Sequence, residues 1–471
     1  MPSADRPATP ATIICADFGS TFTKTLLIDL AEARVVAAAE HRTTIDTDVL
    51  DGYDACLTSL TAQDLRAADA EVLACSSAGG GLRIAVIGNE ELVTAEAGRR
   101  VALSSGGKVV AVVAAGGTGR VPERDLMTVL EHTTAPPDLV LLTGGTDGGN
   151  AEVLLSAARA LVAAGWRGPV VVAGNADAAA EVSAILGRVP HALADNVVPQ
   201  IGVLRPESAR AAIREAFLSH VIGGKGLSSR DDGRAFHAMV RGATPDLVLS
   251  GVEVLAAEIG DVVVVDVGGA TTDVHSVVEL DPEDAGLARD VVAPTPQTRT
   301  VEGDLGMRWS ALSTVEAAEL PELTPAARVR ADDPSYLPLT DADRDDDETI
   351  ARAAIGLALR RHAGRSKVVV GPGGRLVERS GVDLRQVDLV VASGGVLRHG
   401  RDGIADRVLV DSVGSDAGRE GGWQLPESPR TVVDSDYVLA AVGLLASRHP
   451  DVASRLAGWL IEGAANHKLP G

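Results

Sequence analysis

Asp17-Phe18-Gly19-Ser20-Thr21-Phe22-Thr23-Lys24 and Asp266-Val267-Gly268-Gly269-Ala270-Thr271-Thr272-Asp273 are two versions of one pattern. Each follows a β-branched apolar run, Thr12-Ile13-Ile14 in the first case and Val262-Val263-Val264-Val265 in the second. Each leads into another apolar run, Leu26-Leu27-Ile28 or Val274 with Val277-Val278. The reading is strand, Asp, tight glycine turn, strand, written twice.

That pattern has specific chemistry. Glycine lets the backbone turn sharply and approach a ligand closely. Successive exposed N–H groups flanked by Thr hydroxyls make a concave anion site suited to phosphate. An Asp at the end of each preceding strand cannot bind phosphate itself, so it implies a bridging cation. Mg²⁺ fits, because it keeps waters and is held by one or two carboxylates plus phosphate oxygens. One such stretch alone reads as an ordinary hairpin. Two, both led by Asp, read as jaws that close on a nucleoside triphosphate from both sides.

At 471 residues the chain exceeds one compact core and predicts roughly two to four domains. Apolar residues make up 45% and aromatics only 2%, which disfavours stacking platforms for bases. A net charge of −22 argues further against nucleic acid and anionic membranes as partners. Cys15, Cys56 and Cys75 lack metal-site spacing and read as reduced buried thiols. Met1 to Pro10 carries Pro and charge without an apolar core, so no signal peptide is expected, and no apolar run is long enough to span a bilayer. The expected location is the cytoplasm.

Taken in order, residues 12–30 form the first hairpin, and Val35 to His41 adds a strand. Tyr53 to Ala70 reads as a helix with Leu57, Leu60 and Leu65 on one side. Between residues 82 and 220, apolar β-branched runs alternate with helical stretches. The strands are Ile84–Ile87, Val109–Val113, Leu139–Leu142, Val170–Val172 and a last one at Val197-Val198. The intervening helices are Glu90–Leu103, Glu123–Leu130, Asn150–Ala164 and Ala178–Leu186, with Glu207–His220 to follow. Such alternation predicts βαβ units and a parallel sheet.

Thr143-Gly144-Gly145-Thr146-Asp147-Gly148-Gly149-Asn150 ends one of these strands. It is either a ligand or partner site at a carboxyl edge or a glycine-rich turn with Asp147 or Asn150 capping the next helix. Gly116-Gly117-Thr118-Gly119 carries the same two readings. Val248 to Ile259 is a helix feeding the second hairpin. The Asp-rich run 341–347 is a solvated loop or a helix start. Leu389–Ala392 is a strand ending in Ser393-Gly394-Gly395, where bare backbone would let an adenine or ribose lie close. Tyr437–Ala446 and Val452–Ile461 are closing helices.

The order of the two Asp hairpins followed by strand-Gly-Gly resembles the actin-like ATPase superfamily. Within it the chain is similar to the MutL (GlmL) family of glutamate mutase accessory proteins. The closer likeness rests on Gly80-Gly81-Leu82-Arg83-Ile84-Ala85-Val86-Ile87-Gly88, on the Leu141 to Gly149 run, and on Thr300-Val301-Glu302-Gly303-Asp304-Leu305-Gly306-Met307-Arg308. The resemblance implies an α/β, actin-like ATPase fold of two related lobes, with an inserted doubly wound parallel-sheet domain. The expected division is 1–81 for the first lobe, 82–240 for a flavodoxin- or Rossmann-like insert, and 241–471 for the second lobe, whose C-terminal helices return to the first. ATP and Mg²⁺ are the implied cofactors. An adenosylcobalamin-dependent mutase, glutamate mutase or a related aminomutase, is the implied partner, served by release of damaged cobalamin at the expense of slow ATP hydrolysis.

The expected roles follow. Asp17 and Asp266 face Mg²⁺ through its waters, and Asp266 or Asp273 orients the attacking water. Gly19, Ser20 and Thr21, with Thr23, take the β-phosphate; Gly268, Gly269, Thr271 and Thr272 take the γ-phosphate. Lys24 is the side-chain cation on the phosphates, the alternative being a strand lysine facing solvent. Gly394 and Gly395 face adenine or ribose. The rival functions are a small-molecule kinase of the same superfamily and a nucleotide-switched structural protein. The oligomeric state and the role of the Glu302 to Arg308 motif stay open.

Overall fold

The computed structural model describes residues 12–89, 93–115, 126, 128, 136–224, 226–228, 230, 236–279, 295–371, 374–419 and 421–463. The expected Gly116–Gly119 turn and Glu123–Leu130 helix lie outside these apart from Leu126 and Thr128, as does the start of the helix expected from Glu90.

In β1 (Thr12–Phe18), Ile13 and Cys15 enter one core while Ile14, Ala16 and Phe18 enter another. Alternation places successive side chains on opposite faces, and here both faces are covered. β1 pairs antiparallel with β2 (Phe22–Asp29), which pairs antiparallel with β3 (Arg34–Arg42). On its other side β1 pairs parallel with β4 (Glu71–Ser76).

The helix that crosses between them spans Val49–Gln63 and is capped by the Asp48 carboxylate. It stops earlier than the sequence pattern suggests. Asp64 is extended and its carboxylate accepts the Arg66 N–H, opening a separate 3₁₀ turn at Leu65–Asp69. Leu65 is therefore 81% exposed rather than on the apolar face of the helix.

The chain then builds a wholly parallel sheet. β5 (Leu82–Gly88), β6 (Gly107–Ala114), β7 (Leu139–Leu142), β8 (Val170–Val172) and β9 (His191–Leu193) line up in the order β6-β5-β7-β8-β9. This is a doubly wound order with its reversal between β5 and β7. The last strand is His191–Leu193; Val197 and Val198 are buried but lie beyond it, where Asn196 turns the chain by accepting the Val198 N–H.

β10 (Val240–Ala243) brings the chain back and pairs parallel with β4. The first sheet is thus β10-β4-β1-β2-β3, and the whole parallel sheet occupies one crossover within it. The two units share a core that runs from Phe18, Tyr53 and Leu60 to Ile84, Leu139 and Phe217.

The second lobe repeats the first. β11 (Val262–Val267) holds five valines, which are stiff and β-favouring. It pairs antiparallel with β12 (Thr272–Val277), and β12 with β13 (Gln297–Glu302). A separate antiparallel pair, β14 (Arg365–Gly371) and β15 (Gly374–Ser380), follows the long helix Asp341–His362. β16 (Leu389–Ser393) then pairs parallel with β11, and β17 (Arg430–Val433) with β16. The order β13-β12-β11-β16-β17 matches β3-β2-β1-β4-β10 strand for strand and sense for sense. The chain therefore has an α/β fold of two related actin-like lobes. The Asp341 run begins the long helix, with Thr340 and Asp343 forming a capping box.

After each lobe's fifth strand comes a helix: Thr244–Ile259 after β10, Val438–Ala446 after β17. These two helices pack on each other between the lobes. A Cβ at Gly443 would overlap the Leu247 carbonyl oxygen, and one at Gly251 the Leu439 carbonyl oxygen. Around them, with Pro450–Gly463, lie Ile13, Leu26 and Ile28 from one sheet and Val262, Val264 and Val391 from the other. Among the described residues no helix is long and apolar enough to cross a membrane.

Candidate functional site

Period-two alternation decides where the two leading carboxylates point. Asp17 continues the face of Ile13 and Cys15, and Asp266 that of Val262 and Val264. Both of these faces line the core shared between the lobes. Each Asp sits at the last turn of its strand, above that core, on the side that looks toward the other lobe.

The two hairpins have the same register. Asp17 lies opposite Lys24, and Asp266 opposite Asp273. Both turns close alike: Gly19 N donates to Phe22 O at 3.1 Å, and Gly268 N to Thr271 O at 2.9 Å. Their tips approach one another, since a Cβ at Gly269 would lie 4.0 Å from the Thr21 hydroxyl oxygen. Ser20 at the first tip is exposed.

The charges converge. Burial pushes the Asp266 carboxyl up to about 6, opposed by Lys24 and aided by Asp273 and Asp17. Burial works against the Lys24 ammonium, but Tyr437, Asp17 and Asp266 outweigh it and hold its pKa above the ordinary lysine range. Lys24 therefore points into the cleft rather than to solvent. Asp17 is fixed by the Thr244 hydroxyl, which donates at 2.6 Å, and by the Cys75 thiol at 3.5 Å. Asp273 accepts from the Thr271 hydroxyl at 3.0 Å and from Arg299 at 2.6 Å.

Two of the expected phosphate ligands are not brought to the cleft. Thr23 is fully buried, and its hydroxyl meets that of Thr43 at 3.2 Å. Thr43 in turn donates to Gly19 O at 2.8 Å, so Thr23 supports the turn from behind. Thr272 holds the matching position and donates to Leu305 O at 3.1 Å. Both are neighbours of the residues that do face the cleft, Lys24 and Asp273, and alternation turns them away.

Gly394 and Gly395 lie at the end of β16, beside the second hairpin. Gly394 has φ +121°, and a Cβ there would overlap the Val267 carbonyl oxygen. Ser393 lies opposite Asp266 and hydrogen-bonds its carboxyl, lowering the pKa that burial raises. Gly395 approaches Tyr437, whose hydroxyl lies 3.9 Å from its Cβ position.

Several site residues carry no sequence signal of their own. Asp434, fully buried, accepts the N–H groups of Val438 and Leu439 at 2.8 and 3.2 Å and so caps the inter-lobe helix; burial raises it to about 6. Tyr437 lies in the left-handed region at φ +56° and carries the Lys24 ammonium over its ring. A buried capping Asp before an apolar helix is the one cue that could have marked this region.

The Glu302 to Arg308 motif now has a place. Met307 N donates to Gly268 O at 2.9 Å and Arg308 N to Gly269 O at 2.8 Å. Ser310 donates to Ala270 O at 2.6 Å. Gly306 lets the two backbones meet, because a Cβ there would lie 2.8 Å from both Ala270 C and Gly269 O. Arg361 ties the motif down through Glu302 and Asp304. The motif is a buttress under the second hairpin.

The Thr143 to Asn150 run, by contrast, is held by the neighbouring segments at 175–177 and 196. Asp147 accepts from Ala176 N and Asn196 Nδ2, Asn175 donates to Gly149 O, and Asn150 caps the helix Glu152–Ala163 through Glu152 N.

Among the described residues no group of three His, Cys, Asp or Glu could hold a metal alone. A cation at Asp17 and Asp266 would complete its shell with water and phosphate oxygens, which is the habit of Mg²⁺. The elevated Asp266 carboxyl, crowded by two others, is a donor set that a divalent cation relieves.

Residues 13–459 match the model of a family described as MutL protein. "Protein MutL" of Clostridium tetanomorphum is 35% identical over 462 residues, covering 93% of this chain and 97% of its own. Among solved structures, nucleotide-free acetone carboxylase covers 92% of this chain and 70% of its own at 15% identity and TM-score 0.39. The activator of 2-hydroxyisocaproyl-CoA dehydratase from Clostridium difficile, with bound ADPNP, covers 98% and 99% at 12% identity and TM-score 0.30.

Proposed function

The chain belongs to the MutL protein family, and from that premise we propose that it is an ATP-binding, slowly ATP-hydrolysing accessory protein of an adenosylcobalamin-dependent mutase. On this reading it releases damaged cobalamin from glutamate mutase or a related aminomutase in the cytoplasm. The observation that supports it most is the meeting of the two hairpins, with Asp17, Lys24, Asp266 and Asp273 within electrostatic reach of one another.

The amides of Gly19 to Thr21 hold the β-phosphate, and those of Gly268 and Gly269 with the Thr271 hydroxyl hold the γ-phosphate. Lys24 neutralises phosphate charge from the first hairpin. Asp17 and Asp266 would hold Mg²⁺ through its waters, and the cation would supply charge stabilisation for phosphoryl transfer. Asp273, or Asp266 beside it, orients the attacking water. Gly394 and Gly395 leave room for the adenosine, with Tyr437 at its edge.

The test is calorimetry of the purified chain with ATP and Mg²⁺, followed by phosphate release with and without a purified cobalamin mutase. Heat on ATP addition and turnover stimulated by the mutase are expected. No heat rejects the nucleotide site, turnover indifferent to the mutase rejects the partner, and phosphate transfer to a sugar or acid makes the protein a kinase.

A further inference from the structure

Arg299 is a buried arginine whose donors are divided between two units of the molecule. It stands on β13, with a side chain 4% exposed. Nε and Nη2 donate to Asp273 Oδ1 at 3.2 and 2.6 Å. Nη1 donates to the carbonyls of Leu103 and Gly107 at 2.9 and 3.2 Å. Leu103 lies in the last turn of the helix Thr94–Ser104, and Gly107 opens β6; both belong to the parallel-sheet insert. One planar fork thus joins the second hairpin to the insert, a geometry that lysine cannot reproduce. Helix C-terminal carbonyls are also where a cation is favoured.

The rest of this interface follows the same line. Arg99 on the insert helix feels the charge of Glu302, and the Lys108 ammonium lies 3.7 Å from the Cβ position of Gly303. His275, opposite Arg299 in the β12–β13 pair, is buried with Nδ1 unpartnered. Burial first, and the Arg299 charge second, keep it neutral, so its ring adds no charge beside Arg299. Asp273 supplies the anion.

We infer that Arg299 positions Asp273 and ties it to the insert, so that binding at the second hairpin alters the Thr94–Ala114 segment. The inference rests on the nucleotide reading above only for the identity of the ligand. If Asp273 turns toward a bound phosphate or its water, Arg299 must follow or let go, and the insert loses its hydrogen bonds at Leu103 and Gly107. The insert is chained to the first lobe and leans on the second, so it registers their relative position.

Hydrogen exchange of the full chain tests this in two arms. Without nucleotide, Asp273→Asn and Arg299→Gln should each speed exchange in residues 94–114 by about tenfold or more, the effect of losing a charged hydrogen bond. Thr271→Ala, which removes only the other partner of Asp273, should leave that segment as in the native chain, and Arg299→Lys should fall between. Native exchange in Asp273→Asn, or equal loosening in Thr271→Ala, overturns the link. In the second arm, Mg²⁺-ATP should alter exchange in 94–114 of the native chain but not of Arg299→Gln, with calorimetry showing that both bind. Binding without any change in the native segment overturns the inference. No heat in the native chain rejects the nucleotide reading instead, and the first arm then decides the link.

Discussion

The ammonium of Lys24 lies 3.4 Å from the centre of the Tyr437 ring. The contact joins β2 of the first lobe to the residue that opens the inter-lobe helix Val438–Ala446. Arg398 approaches the same ring at 5.0 Å and pairs with Glu40 of β3 at 2.9 Å. Tyr437 is therefore a shared seat for two cations, one from each lobe.

A double-mutant cycle of Lys24→Met and Tyr437→Leu, read by urea unfolding, should give a coupling of about 1 kcal/mol, as a partly desolvated cation–π pair does. Lys24→Met should also weaken ATP binding in calorimetry, while Tyr437→Phe, which keeps the ring but removes the hydroxyl that hydrogen-bonds Lys24, should leave only the ring's share of the coupling. Additive single effects would show that the contact contributes nothing.

Asp266 and Asp434 set a pH dependence of known sign. Each carboxyl is raised from 3.8 to about 6 in the folded chain. Between those values the folded chain keeps protons that the unfolded chain has released, so stability falls as pH rises through the window. Asp266→Asn should make that decline shallower in urea unfolding at a series of pH values. Cation binding runs the other way: it needs the ionised carboxylate, so affinity for Mg²⁺-ATP should rise with pH through about 6. At neutral pH, Asp266→Asn should weaken Mg²⁺-ATP binding as protonation does, and at saturating ATP lower phosphate release by about a hundredfold, the cost of removing one preorganised transition-state contact. Unchanged turnover would reject its assigned role.

Gly306→Ala tests the buttress. The added methyl meets Ala270 and Gly269 backbone at 2.8 Å, so the second hairpin must shift. ATP affinity should fall by about tenfold or more for a displacement of roughly 1 Å, while the far-ultraviolet circular dichroism stays native. Unaltered affinity would show that the hairpin does not depend on the motif.

Gly443→Ala should destabilise the protein by about 1–3 kcal/mol through overpacking against the Leu247 carbonyl. Gly458→Ala, at a helical glycine with open space around it, is the control and should instead stabilise by about 0.5–1 kcal/mol. Thermal or urea unfolding separates the two.

Much of the geometry of the two hairpins was legible from alternation and turn length. Asp17 and Asp266 end strands of strict period two, so their faces follow from Ile13, Cys15, Val262 and Val264. The four-residue turns fix Lys24 opposite Asp17 and Asp273 opposite Asp266. The same rule, applied one residue further, excludes Thr23 and Thr272 from the cleft; a threonine's hydroxyl alone made them attractive. Tyr437 and Arg299 were not legible, because their partners lie far away in the chain and no local pattern records a contact made by lobe packing; the Asp434 carboxylate bonds to Val438 and Leu439, and a capping Asp before an apolar helix was its one local mark. The motif at Glu302 to Arg308 was visible as unusual, yet its role appears only once its amides are seen beneath Gly268 and Gly269.

The insert leaves the first sheet at the top of β4 and returns at the foot of β10, and these two strands are hydrogen-bonded neighbours. In the second lobe the same gap, from β16 to β17, is crossed by two short helices, Gly395–Arg398 and Ile404–Leu409, and a loop. The repeat thus supplies its own template for surgery: a comparable bypass from Ser76 to Val240 would excise the guest module and leave the host's strand order whole. Such a pared-down chain would reveal which behaviours belong to the two-lobed host and which to its guest.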